Sequence, residues 1–191
     1  MKTVFFVRHG QSQANLAGVY AGITDSPLTE GGRRQAQRLV ADIKRLGIRT
    51  IISSDLARAF ETARILAAGL GIAESAIVHD QRLREVDVGR LTGQPERGVP
   101  GTEHAHLPGY IDFCETKNNA MGVEYIGDTQ RRMEGLVADL DRDLYQEPVL
   151  LVGHDMSGRV LKQVFEGVAI NPMALSSFPH NKIIRFVRGR P

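Results

Sequence analysis

Arg8-His9-Gly10 follows the apolar run Thr3–Val7, Arg58 comes shortly after Arg49–Ser53, and His154 comes just after Val149–Val152. These residue types suit a site that binds and transfers a phosphoryl group. A neutral imidazole is a capable nucleophile near pH 7 because its unperturbed pKa is about 6.5, so His9 is the candidate covalent acceptor. Arginine stays cationic at any relevant pH and offers a planar fork of N–H donors, which makes Arg8 and Arg58 candidates for holding the non-bridging oxygens. Arg58 falls in the first turn of a helical pattern, where the macrodipole disfavours a cation and a bound anion would relieve that penalty. Taken singly, each residue has an ordinary explanation. His9 could be a turn histidine, Arg58 a surface arginine paired to Glu61 or Asp55, and His154 a capping or core histidine. Their joint placement after three short apolar runs points to a site.

For these side chains to meet, the three runs must be neighbouring parallel strands whose carboxyl ends open on one crevice. The patterning supports this, because short apolar runs alternate with stretches of helical period. Glu30–Leu46 carries Ala36, Leu39, Val40 and Ile43 on one face, with Thr29 as N-cap and Gly47 as stop. Asp55–Leu70 repeats the pattern, with Asp55 as N-cap and Gly69 or Gly71 as stop. Helices are also predicted over Asp128–Leu144 and Met156–Val168, and a final strand over Lys182–Val187. The fold class is therefore α/β with a mostly parallel sheet.

At 191 residues and 42% apolar, the chain suits one compact domain. Thr92 to Gly127 differs from the rest, being rich in Gly, Pro, His and Asn without a sustained period, and is expected to be a lid or specificity segment. A formal charge of +2, with basic and acidic residues interspersed, argues against nucleic acid as a partner. The single cysteine, Cys114, excludes an internal disulfide, and the first apolar run is too short for a signal peptide or membrane span. A cytoplasmic protein without a membrane partner is expected. His104 and His106 are spaced as His-x-His but lack a third ligand at recognisable spacing, so no metal is expected.

The run Val4 to Ser12 with Asn15, Thr24 to Gly32, Ser53 to Ala63, Leu83-Arg84-Glu85 with Gly89, Leu91-Thr92-Gly93 and Leu150 to His154 resembles the histidine phosphatase superfamily, in its phosphoglycerate mutase-like branch. The resemblance covers nearly the whole chain outside 94–122. It implies a three-layer α/β/α sandwich, phosphorylation of His9, and Arg8, Arg58 and His154 around the phosphoryl group. It further implies Glu85 as the acid that protonates the leaving oxygen and then the base that activates water. A carboxyl beside a phosphate dianion holds its proton more tightly, which suits that role. Asn15, Ser12, Gly22, Thr24 and Asp155 are the expected substrate-binding residues, and no cofactor is implied.

Asp155 follows the second histidine where the mutase branch usually has a small or amide residue. Another branch of the family uses a His-Asp pair there as proton donor, so Asp155 rivals Glu85, with a plain N-cap as the other reading. Family mutases are longer and carry a tyrosine shortly after the glutamate, whereas Val86 to Arg90 contains none. The expected activity is therefore hydrolysis of a small-molecule phosphate ester. Mutase-type transfer, a phosphohistidine-protein phosphatase and a phosphoprotein-binding module are the alternatives, and a homodimer is left open. Arg84, Arg90 and Arg97 are candidates for a second anionic group on the substrate.

Overall fold

The computed structural model describes residues 3–96, 115–142, 144–171 and 177–187, and within them five strands form one sheet. In chain order these are β1 (Val4–Arg8), β2 (Thr50–Ser53), β3 (Val78–His79), β4 (Val149–Gly153) and β5 (Ile183–Phe186). The sheet order is β3-β2-β4-β1-β5, with only β5 antiparallel. The chain steps outward from β1 to β2 and β3, then returns to insert β4 between β1 and β2. That reversal creates a crevice at the carboxyl ends of β1 and β4, where ligands bind in open α/β sheets. Arg8 pairs with Gly153 and Ser53 with Val152, so the ends of the three strands are level.

Alternation along the strands divides the core into two layers. Val4, Phe6, Ile52, Val149 and Leu151 face one way, onto α4 (Ile126–Asp141) and α5 (Asp155–Glu166). Phe5, Val7, Ile51, Leu150 and Val152 face the other, onto α2 (Glu30–Arg45) and α3 (Ala57–Leu70). The result is the expected three-layer sandwich with a mostly parallel sheet. Among the described residues no helix is long and apolar enough to cross a membrane.

Helix ends depart from expectation in instructive ways. Thr29 caps α2 as predicted, its Oγ1 accepting from Gly32 N at 2.9 Å. Asp55 does not cap α3. Leu56 holds the cap position with no side-chain bond, and Asp25 from a distant loop accepts from Ala57 N at 3.0 Å instead. Gly71, with φ of 72°, is the stop for α3, whereas Gly69 lies inside the helix against Val40. Asp155 is not an N-cap either, because His154 occupies that position and Asp155 opens α5. The helix predicted to begin at Asp128 starts two residues earlier and stops at Asp141. The short helix α1 (Gln13–Ala17) and strand β3 carry too little periodicity to be predicted.

The stretch treated as a lid is tied down at its described ends. Tyr20 N donates to Gln94 O at 2.9 Å, Gly93 N to Tyr20 O at 2.8 Å and Glu96 N to Gly18 O at 2.8 Å. Beyond Glu96, Arg97, His104, His106 and Cys114 lie outside the described residues.

The loop after β1 presses backbone to backbone on the start of α2. A Cβ on Gly32 would stand 2.1 Å from Gln11 O, while one on Gly31 would meet nothing closer than 3.5 Å. Gly32→Ala is expected to lower stability by about 1–3 kcal/mol, and Gly31→Ala to be neutral or gain up to about 1 kcal/mol. Urea unfolding midpoints check this, and equal midpoints for the two variants would refute the close approach.

Candidate active site

His9 follows β1 directly and is tied into the sheet edge by His9 N to Gly153 O at 2.9 Å. Its ring is almost fully buried, and Nδ1 lies 2.6 Å from the carbonyl of Gly10. A carbonyl can only accept, so Nδ1 carries the proton in this contact and Nε2 carries the lone pair. Arg58 Nε donates to that same Nε2 at 3.2 Å, which is consistent with the tautomer. Burial first, then Arg58 and Arg8, push His9 well below the ordinary imidazole pKa, so it is neutral at pH 7.

Arg58 reaches His9 from the first turn of α3 with 2% of its surface exposed. Its terminal nitrogens donate to Thr24 O at 2.8 Å and Gly22 O at 2.7 Å. With the bond to His9, these occupy three of the five N–H groups of a guanidinium. Burial disfavours its charge, while Glu85 and Asp25 support it. The helix-terminus penalty expected from sequence is thus met within the protein by two carbonyls and two carboxylates. The surface pairing with Glu61 or Asp55 does not occur, since Glu61 holds Arg33 and Asp55 holds Arg84.

Arg8, at the end of β1, donates through Nη1 to Phe178 O at 2.9 Å and Ser177 Oγ at 3.1 Å. Asp155 stands behind it, 3.8 Å from Nη1. The Asp155 carboxylate accepts from Phe178 N at 2.7 Å, Ser177 Oγ at 2.8 Å and Arg159 Nη2 at 2.5 Å. Burial would raise its pKa, but Arg8, Arg159 and the Phe178 N–H hold it below the usual carboxylate range. A carboxylate kept ionised in this way is a poor proton donor near neutral pH.

Glu85 differs. Its carboxylate sits at the start of α5 and accepts from Asp155 N at 3.1 Å, Met156 N at 3.2 Å and Ser157 N at 2.9 Å, as well as from Val86 N at 2.9 Å. It therefore acts as the cap that His154 lacks, using the positive end of the helix. The surface pairing with Arg82 or Arg84 is not formed. Arg82 binds Asp80 and Asp139, and Arg84 makes a two-pronged bond to Asp55 at 2.7 and 2.6 Å. Arg84 is thus a structural clamp between the loops after β2 and β3 and is not left for a second substrate anion.

His154 is fully buried, its ring edge-on to His9 with centroids 5.0 Å apart. Its Nε2 lies 2.9 Å from Ser54 Oγ, and its Nδ1 has no partner among the described residues. Burial and then Arg58 push its pKa well below the ordinary value.

Arg8, His9, Asn15, Gly22, Arg58, Glu85 and Asp155 line one cleft of about 390 Å³, shared with Tyr20, Ala21, Val88, Glu96, Met156 and Ser177. Ser12 and Thr24 do not line it. Ser12 caps α1 in a reciprocal bond with Asn15, and Thr24 contributes only its carbonyl, to Arg58. His180 was missed by sequence reasoning. Its Nδ1 donates to His9 O at 2.6 Å, and burial lowers its pKa to about 4. The antiparallel return of β5 delivers it to the carboxyl end of β1, a placement that no local pattern encodes.

Residues 4–187 match the family described as histidine phosphatase superfamily (branch 1). The chain is 47% identical over 158 residues to the probable phosphoglycerate mutase GpmB of Cronobacter sakazakii, covering 82% of this chain and 71% of that protein. It is similar to a mycobacterial glucosyl-3-phosphoglycerate phosphatase solved with VO3, at 28% identity and TM-score 0.79 over 97% of this chain and 92% of that one. It also shares its fold with the alpha-ribazole phosphatase of Shigella flexneri, at 23% identity and TM-score 0.76 over 96% of this chain and 89% of that one.

Two buried histidines, His9 and His154, and the half-buried His180, all with depressed pKa values, make folding sensitive to mild acid. Below about 6.5 the unfolded chain binds protons that the folded chain refuses, so stability is full above that pH and falls as pH drops toward the folded pKa values. For His180 this window runs from about 6.5 down to about 4. The urea midpoint is expected to fall between pH 7 and 5, and His180→Asn to make that fall shallower. Parallel slopes in the two proteins would contradict the assignment.

Proposed function

The chain belongs to the histidine phosphatase superfamily, branch 1, and from that premise we propose that it hydrolyses a small phosphorylated metabolite through a phosphohistidine on Nε2 of His9. One observation carries the reading. The Nδ1–H of His9 is committed to Gly10 O, so the lone pair sits on Nε2 beside Arg58, in a cleft that also holds Glu85.

In the first step Nε2 attacks phosphorus and the bond to the ester oxygen breaks, while Glu85 transfers a proton to that oxygen and an alcohol leaves. Arg8 and Arg58 hold the non-bridging oxygens as charge shifts, and the Nδ1 of His154 is a further donor when Ser54 supplies the hydrogen bond to Nε2. In the second step the Glu85 carboxylate takes a proton from water. The resulting hydroxide attacks phosphorus, the bond to Nε2 breaks, and phosphate leaves with His9 restored.

Hydrolysis is favoured over transfer between two anionic acceptors by the lining of the cleft. Among the described residues its cations, Arg8 and Arg58, stand beside His9, and the remaining wall carries Tyr20, Val88, Met156 and the carboxylates Glu96 and Asp155. That wall suits an uncharged leaving group better than a second phosphate. The mutase reading rests on the names of several relatives, the Cronobacter protein among them.

Phosphate release should be followed for wild type and His9→Ala over phosphomonoesters, sugar bisphosphates and phosphopeptides, alongside isomerisation of 3-phosphoglycerate with 2,3-bisphosphoglycerate. His9→Ala is expected to lose at least about 1,000-fold of the release activity while staying folded. Isomerisation without net release would make the protein a mutase, and activity retained by His9→Ala would sink the covalent mechanism.

A further inference from the structure

Glu85 lies in irregular chain between two short 3-10 turns, Gln81–Leu83 and Gly89–Leu91, with no strand partner to fix its height in the cleft. The carbonyls of this stretch converge instead on one guanidinium. Arg132, on α4, donates through Nη1 to Arg82 O and to Arg84 O, the latter at 2.7 Å, and through Nη2 to Glu85 O at 3.4 Å. The same guanidinium is held from the other side by Glu124, with Nε to Oε1 at 2.8 Å and Nη2 to Oε2 at 3.1 Å. Glu124 then closes the loop beyond Glu85, because its Oε2 accepts from Asp87 N at 3.1 Å and its backbone N donates to Asp87 O at 2.8 Å. One ion pair thus grips the chain before and after Glu85. Its side chains are 19% and 18% exposed, and neither lines the cleft.

We propose that the Arg132–Glu124 pair is a positioning device for proton transfer. It keeps the Glu85 carboxylate in line with both the first turn of α5 and the leaving oxygen, an inference that rests on Glu85 as the proton donor. Arg132 touches no reacting atom. Its guanidinium satisfies three carbonyls of a loop whose neighbours Leu83 and Val86 are buried in the core, so losing it frees those carbonyls and lets the loop drift. A shift of about 1 Å at an acid that must meet a leaving oxygen costs on the order of 100-fold in rate. An activated aryl leaving group needs little protonation and is spared that cost.

The test is kcat/KM over a series of phosphate monoesters with increasingly basic leaving groups, from 4-nitrophenyl through phenyl to alkyl. Arg132→Met is expected to lose on the order of 100-fold on alkyl esters and only a few-fold on 4-nitrophenyl phosphate. Arg132→Lys should recover part of the loss, and adding Arg132→Met to Glu85→Gln should cost at most a few-fold more. A uniform loss across the series would mean a structural role only and overturn the proposal. If Arg132→Met does not fold, Glu124→Gln is judged by the same slope. Glu85→Gln is run in parallel, so a flat series there indicts the Glu85 assignment, whereas a steep series there with a flat one for Arg132→Met indicts the positioning device.

Discussion

A guanidinium that is 2% exposed needs hydrogen-bond partners, and the partners of Arg58 organise the site. Two backbone carbonyls of the 22–24 loop and the lone pair of His9 receive its N–H groups. Those bonds fix the loop against α3, and the bond to Nε2 agrees with the tautomer that the Gly10 contact imposes. The charge of Arg58 also helps keep both buried histidines neutral, since an imidazolium beside a buried cation is disfavoured twice, by desolvation and by repulsion. A nucleophile that must carry its lone pair on Nε2 is therefore kept neutral by the same group that would hold its substrate.

Behind the cations stands a matching set of carboxylates. Asp25 supports Arg58 and caps α3, and Asp155 supports Arg8 while tying down the segment that precedes β5. Glu85 takes the start of α5, using helix N–H groups that would otherwise lack a partner. The three carboxylates look alike in sequence and differ in what surrounds them. Asp155 is engaged by Arg8, Arg159 and a backbone N–H, whereas the carboxylate of Glu85 accepts from backbone N–H groups and from no arginine among the described residues. That contrast in environment, more than residue type, separates a structural anion from a candidate acid and base.

Four of the five described strands, all but β3, and the central candidate residues were legible because their signals are local. An apolar run followed within a few residues by arginine or histidine is visible in one dimension, and the level ends of β1, β2 and β4 follow from parallel pairing. The failures share one physical cause. Asp55 next to α3 is a natural cap by sequence, yet Arg84, 29 residues away, claims its carboxylate and Asp25 takes the capping role. His180 reaches His9, and Arg132 the loop that carries Glu85, through long returns of the chain, and Ser12 and Thr24 share a motif with site residues while turning to backbone duties. Competition among distant partners for one polar group leaves no periodic trace.

The free site also carries a cost that favours an anionic ligand. Arg8 Nε and His154 Nδ1 are buried without a hydrogen-bond partner among the described residues, and each such group costs about 1–3 kcal/mol. A fold tolerates this only where its frame holds the groups rigidly, and here Arg8 ends β1 and His154 directly follows its parallel neighbour β4, in a sheet covered on both faces by helices. A phosphoryl group entering between Arg8 and Arg58 would meet a surface with most of its ordering cost already met in folding. Its oxygens would then gain charge-assisted bonds from the guanidinium groups, which are stronger than bonds between neutral groups. The same rigidity explains why loops that could have drifted are clamped by ion pairs. An arrangement that depends on directed donors loses its advantage as soon as one of them moves.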